Sequence, residues 1–245
     1  MTSWTTTWTT ARARAGSRLE RWTFAAAREV AARRSSPALH PQGLTCGGTV
    51  DVRGDGVAGD TAGWAETGRY EAVVRWSRAA GLPGSLPDAY GLALRVRQAG
   101  GPGQDLDLLL TTSGTTRLGR HVPRLRRDAL AGPYSTLLSY RFGRYDRVVA
   151  ALPEPGSPPA GTTPDSWARA VRAAPVRFAL CAAGPREPWR IFATLTLAEV
   201  EPVPAHGTPG FDPYAHRLPG LHPTGRFSGF REAAYAGSRA GRGGW

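Results

Sequence analysis

Residues 176–195 have the sequence VRFALCAAGPREPWRIFATL, and this stretch decides the fold class. Two short apolar runs, rich in β-branched and aromatic residues, lie on either side of the turn residues Gly184-Pro185. Such runs around a Gly/Pro turn predict two antiparallel strands joined as a hairpin.

The chain after residue 36 shows the same pattern of short apolar runs separated by turn residues. Gly/Pro-rich joints at residues 53–65, 99–104 and 152–164 separate further apolar runs. The predicted strands are residues 70–76, 91–96, 106–110, 176–182 and 189–200. The 31 Gly and 21 Pro residues would interrupt long helices, so the composition disfavours a helical bundle.

Two helices are predicted, one before the strand-rich region and one within it. Ser17-Arg18-Leu19-Glu20 has a capping-box pattern that predicts a helix over residues 17–34. Thr163-Pro164-Asp165 predicts a second helix, which runs through Arg172 and ends before Pro175. The pattern indicates an α+β fold, an antiparallel sheet or barrel with peripheral helices. We predict two regions, a basic amphipathic arm over residues 1–35 and a barrel domain over residues 36–245.

The net charge of +12 is a weak guide to function. All 31 basic residues are Arg, and the chain has neither Lys nor Asn, which indicates GC-rich coding rather than a selected charged surface. No groove-reading helix or aromatic stacking platform is evident, so we expect no sequence-specific nucleic-acid binding. The arm over residues 1–35 carries seven Arg and two Glu. It is either a helix docked on its own domain or a weak contact to an anionic membrane surface.

The sequence predicts a cytoplasmic protein. No apolar window approaches the roughly 20 residues of a membrane span, and the first residues lack the apolar core of a signal peptide. Cys46 and Cys181 have no CxxC spacing, so we expect packed thiols rather than a zinc site or a disulfide.

One candidate site lies near the carboxyl end. Arg231, Tyr235, Arg239 and Arg242 are spaced by four, four and three residues, which places them on one face of a helix. Guanidinium groups beside a phenol lower its pKa and favour the phenolate, as an anionic ligand to ferric iron requires. The alternative is a solvated terminal helix with a half-buried Tyr.

Histidines supply the second candidate. His40 precedes the first strand that we expect, and a neutral imidazole there could act as a general acid and base. A lone loop His without a role is the alternative. His206, His216 and His222 have no metal-ligand spacing, and we expect loop residues.

Six short motifs in a fixed order give the sequence a family resemblance. They are His40-Pro41-Gln42-Gly43, then Val74-Arg75-Trp76-Ser77 with Gly91-Leu92-Ala93-Leu94-Arg95-Val96, then Asp105-Leu106-Asp107-Leu108-Leu109-Leu110, Phe211-Asp212-Pro213, Pro219-Gly220-Leu221 and Arg231-x-x-x-Tyr235. This order resembles the haem-dependent catalase superfamily, over about residues 36–242 except residues 115–175.

The resemblance implies an eight-stranded antiparallel barrel around a haem, expected to be haem b. Tyr235 would be the axial iron ligand, as in catalase. Arg231 would keep its oxygen anionic, and Arg75 would pair with a haem propionate. Arg239 and Arg242, which their spacing places on the same helix face as Tyr235, would also lie on the cofactor side. His40, oriented by the Ser77 hydroxyl, would move a proton between the two oxygens of a peroxide.

The sequence departs from the family pattern on the distal side. Catalases place an Asn beside the distal His, and the equivalent position here falls at about Thr112. The resemblance therefore predicts a haem-dependent oxidoreductase of catalase or peroxidase type that acts on hydrogen peroxide or an organic hydroperoxide. The alternative is a catalytically degenerate barrel that binds haem or another hydrophobic ligand as a carrier or sensor. Either form could be an oligomer.

Overall fold

Eight antiparallel strands close into a barrel. The structure is a computed structural model that describes residues 43–53, 67–79, 86–200, 210–225 and Glu232. The strands are β1 (Gly43–Val52), β2 (Gly68–Arg78), β3 (Tyr90–Val96), β4 (Leu106–Thr112), β5 (Tyr134–Ser135), β6 (Tyr140–Phe142), β7 (Tyr145–Pro153), β8 (Val176–Ala183), β9 (Arg190–Val200) and β10 (Leu221–Pro223). The ring runs β1-β2-β3-β4-β5-β7-β8-β9, and β9 pairs with β1 to close it. β6 pairs with β7 and β10 outside the ring.

The predicted fold class is confirmed. β8 and β9 form the hairpin around Gly184-Pro185, and each of the five predicted strands is present. Short strands β5, β6 and β10 and the longer β7 were not predicted. The predicted helix over residues 17–34, and with it the arm and its boundary at residue 35, lies outside the described residues.

Helix α1 (Pro164–Ala173) forms where its cap predicts it. Thr163 accepts a hydrogen bond from the Ser166 backbone N–H at 3.2 Å, and its own N–H donates to the Ser166 hydroxyl at 3.1 Å, so the capping box is reciprocal. The helix packs against β9 and β1 and buries Trp167 completely. No helix in the described ranges has the length and apolar character needed to span a membrane.

Side chains fill the interior of the barrel. The Trp76 ring stacks on Trp167 with centroids 5.3 Å apart and on Tyr90 with centroids 5.2 Å apart. Tyr134 and Phe178 meet edge to face from β5 and β8, the two strands that flank β7, and all five aromatic residues are fully buried. The interior of an eight-stranded barrel is about wide enough for side chains alone. Because large aromatic rings occupy this interior, the expectation of a barrel that surrounds a haem is wrong.

Candidate functional site on the outer face of the barrel

Two rows of paired residues cross the outer side of β1–β4. The inward positions of these strands belong to the hydrophobic core, so the alternate positions point outward. The first row is Gly43, Ser77, Gly91 and Thr111, and the second is Thr45, Arg75, Ala93 and Leu109. We call these eight residues the Arg75 face.

The Arg75 face is nearly flat and carries one cation. Most of its other residues are small, either glycine and alanine or short side chains with a hydroxyl group. Arg75 and Ser77 are buried, at 7% and 4% exposure, although both lie outside the barrel interior. A flat surface of small residues beside a guanidinium suits a planar group that carries a carboxylate.

Gly43 lies directly against the Arg75 side chain. A Cβ atom at this position would come within 3.0 Å of the Arg75 guanidinium carbon and would overlap the Trp76 carbonyl oxygen. A glycine is therefore required for β1 to approach the guanidinium this closely. Burial lowers the pKa of Arg75 to about 10, so the group stays charged at neutral pH.

Thr112 does not lie on this face. Its side chain points to the other side of β4, where its hydroxyl accepts a hydrogen bond from the Tyr90 N–H at 3.0 Å and donates to the Arg124 carbonyl at 2.7 Å. These bonds tie Thr112 to two backbone segments away from Ser77. Of the neighbouring threonines Thr111 and Thr112, Thr111 is the one whose side chain lies on the Arg75 face, in the same row as Ser77. Thr112 therefore lies away from Arg75 and Ser77. The residue that lies beside them on the Arg75 face is the preceding one, Thr111.

A buried carboxylate holds residues 210–217 against the barrel next to the Arg75 face. Asp107 is fully buried and accepts two hydrogen bonds from Arg95, at 2.7 and 2.6 Å. It also accepts from the Asp212 backbone N–H at 2.7 Å and lies 3.0 Å from Nδ1 of His216. Burial lowers the pKa of Arg95, but the bonds to Asp107 offset this effect, and the net shift is upward. Arg95 also stacks against Phe211, with the guanidinium carbon 5.3 Å from the ring centroid.

Sequence reasoning missed this cluster because its members are far apart in the chain. The available signal was the alternation of β3 and β4, which places Arg95 opposite Asp107. His216 lies in a loop, as expected, and contacts Asp107 from there. His222 lies in β10 rather than in a loop.

The remaining predicted site residues lie outside the described residues. These are His40, Arg231, Tyr235, Arg239 and Arg242. Within the described ranges, no group of three or more His, Cys, Asp or Glu side chains could hold a metal ion.

Comparison with solved structures shows what the barrel is similar to. A fungal catalase has 12% sequence identity and a TM-score of 0.59, over 82% of this chain and 57% of that one. Catalase A from Saccharomyces cerevisiae has 13% identity and a TM-score of 0.61, over 85% of this chain and 61% of the other. A bacterial catalase has 10% identity and a TM-score of 0.59, over 85% and 58%. The chain has a catalase-like fold.

The likeness to catalases is one of fold alone. No model of a known protein family matches the sequence, and no curated protein matches it. The chain spans about three fifths of the length of the catalases that it matches.

Proposed function

We propose that the protein binds a haem, of the b type, on the Arg75 face and uses it to process hydrogen peroxide or an organic hydroperoxide. The observation that carries this proposal is the pairing of buried Arg75 with small residues on the outer side of a catalase-like barrel. The solved structures with a similar fold are catalases, which supports a peroxide as the substrate.

The described residues fit one side of a haem. Gly91 and Ala93 would leave room for the flat macrocycle, and the Arg75 guanidinium would bind a propionate in a charge-assisted pair. Gly43 lets β1 pass directly against the guanidinium, where a larger residue would displace it. When bound, the haem would supply the redox chemistry of the iron.

Tyr235 is the residue proposed to hold the iron from the other side. A phenolate is the axial ligand of catalase haem, and Arg231, one helical turn earlier, would favour the ionised phenol. Arg239 and Arg242 would add positive charge near the propionates. The assignments of Tyr235 and Arg231 come from the motif resemblance, and those of Arg239 and Arg242 come from their spacing on the same predicted helix face.

His40 and Ser77 would handle the proton of the peroxide. Gly43 pairs with Ser77, and His40 precedes Gly43 by three residues, a length of chain that reaches at most about 11 Å. The imidazole would take a proton from one peroxide oxygen and return it to the other, while the Ser77 hydroxyl orients the ring. Thr111, rather than Thr112, would offer the additional hydroxyl group beside them.

Reconstitution with haemin tests this proposal. The protein should develop a Soret band, which Tyr235→Phe removes or shifts. Arg75→Leu should weaken haemin binding roughly ten-fold or more, because a charge-assisted hydrogen bond is lost. Arg69→Leu is the matched control, since Arg69 lies on the same side of β2 but is exposed and six residues away. Equal haemin affinity of Arg75→Leu and Arg69→Leu would remove the Arg75 face from the proposal.

Peroxide turnover tests the role of His40. His40→Ala should keep the Soret band and lose roughly a hundred-fold or more in turnover, the usual contribution of a general acid and base. Full turnover in His40→Ala would exclude His40 from the chemistry.

A haem or ligand carrier is the second candidate function. It is favoured by the Thr111 hydroxyl group at the position beside Ser77 where the resemblance implies an Asn, because a hydroxyl group presents fewer hydrogen-bonding groups than an amide. This candidate predicts haemin binding with peroxide turnover no faster than that of free haemin.

A further inference from the structure

An exposed loop between β4 and β5 combines aliphatic side chains with arginines. We call residues 113–127 the basic loop. Leu118, Val122 and Leu125 are 82%, 53% and 68% exposed, which makes them the three most exposed large apolar side chains in the described part of the chain. Exposed apolar residues that occur singly need no explanation, but three within eight residues indicate a contact surface.

The charged side chains of the basic loop are all positive. The 20 residues from Leu108 to Arg127 contain five Arg and no Asp or Glu. Arg117, Arg124 and Arg127 are exposed beside the aliphatic side chains.

The backbone of the basic loop is anchored, so its aliphatic side chains are held outward. Ser113 and Pro123 form an antiparallel bridge, and the Gly114 N–H donates to the Gly119 carbonyl at 2.9 Å. Arg120 is buried, donates to the Ala183 and Gly184 carbonyls at 3.4 and 3.3 Å, and lies 4.5 Å from the Trp189 ring centroid.

We propose that the basic loop docks on the anionic surface of a lipid bilayer. Aliphatic side chains gain free energy in the acyl region, and the arginines beside them pair with lipid phosphates, so a bilayer satisfies both. Nucleic acid would pair with the arginines but would offer no apolar region to the leucines. The basic loop of a second copy would repel the first, because both carry only positive charge.

Vesicle co-sedimentation of the full chain tests this inference. The protein should bind vesicles of phosphatidylcholine mixed with phosphatidylglycerol and not vesicles of phosphatidylcholine alone. The triple variant Arg117→Gln/Arg124→Gln/Arg127→Gln should lower the partition coefficient roughly a hundred-fold, because each basic side chain near an anionic bilayer contributes roughly five-fold. Leu118→Ser/Val122→Ser/Leu125→Ser should lower it at least about ten-fold by loss of apolar burial. The unfolding midpoint should not change in either variant, since all six side chains are exposed.

Matched controls separate the basic loop from general charge and hydrophobicity. Arg169→Gln/Arg172→Gln/Arg177→Gln removes the same charge from exposed positions elsewhere and should leave vesicle binding within a few-fold of the parent. Leu86→Ser/Ile191→Ser removes exposed apolar side chains outside the basic loop and should do the same.

Several results would overturn the inference. Undiminished vesicle binding of the loop variants would assign the binding to another part, such as the arm over residues 1–35. A loss of DNA binding or a change of oligomeric state in these variants, without any change in vesicle binding, would assign the basic loop to nucleic acid or to a second copy. The test requires no haem, so its outcome is independent of the proposed function.

Discussion

The two sides of β2 carry opposite kinds of residue. Trp76 points inward, is fully buried and stacks between two other aromatic rings. Its neighbours Arg75 and Ser77 point outward and lie among glycine, alanine and small hydroxyl side chains. The inner side therefore stabilises the barrel by packing, while the outer side is free to specialise for a ligand. Changes to the inner side should affect folding, and changes to the outer side should affect binding.

The largest effect is expected at the inner side. Trp76→Ala should lower the free energy of unfolding by about 3–5 kcal/mol, because it leaves a cavity between Trp167 and Tyr90. Val73→Ala, at an outward and half-buried position of the same strand, should cost about 1 kcal/mol or less. Urea denaturation measures both. Similar losses in the two variants would contradict the difference between the two sides.

Asp107 is the exception to this division, since it lies on the outer side but should affect folding. Asp107→Asn should cost about 3 kcal/mol, because the charged Arg95 would remain largely buried without its carboxylate. Much of this loss should be recovered in Asp107→Leu/Arg95→Met, which removes both charges. Urea denaturation of the three variants measures the effect. A loss below about 1 kcal/mol for Asp107→Asn would show that the pair is not needed for folding.

Thr111 and Thr112 give the sharpest matched pair. Thr112→Val should cost about 1–3 kcal/mol, since the buried Tyr90 N–H and Arg124 carbonyl each lose a partner. Thr111→Val should leave the unfolding free energy nearly unchanged and instead alter peroxide turnover of the haemin-loaded protein. If Thr112→Val instead kept its unfolding free energy but lost peroxide turnover, Thr112 would be the residue that acts beside His40, as the sequence predicts.

The smallest effect is expected for Cys181 in β8. Its titration tests whether the outer side of β8, next to β7, is buried. Burial raises the pKa of the Cys181 thiol from 9.0 to about 12. The unfolded chain therefore loses this proton first, and the contribution of the thiol to stability is complete below about pH 9 and is lost as the pH rises towards 12. Relative to Cys181→Ala, the parent should lose about 1 kcal/mol by pH 10. Equal pH dependence of the two proteins above pH 9 would contradict the buried thiol.

Local patterns in the sequence were enough to predict much of the fold. The β8–β9 hairpin follows from two apolar runs around Gly184-Pro185, and α1 follows from its capping residues. β5, β6 and β10 have only two or three residues each, which is too few to show the alternation of apolar and polar residues that marks a strand. Which residues fill the barrel interior could be assigned only once the strand pairing was known, because the closed barrel brings β1 against β9 from distant parts of the chain.

The candidate site was predicted less completely. Arg75 and Ser77 are two residues apart in one strand, so the sequence already places them on one side. Thr112 was placed from motif order alone, and an error of one residue in a strand moves a side chain to the opposite face. The assignments of His40 and Tyr235 stay predictions.

Locating the iron in crystals of the haemin-loaded protein tests the central claim most directly. An anomalous iron signal on the outer side of β2–β4, facing Ala93 and Ser77, is the result that we predict. An iron signal inside the barrel, or on a surface away from Arg75, would contradict the account.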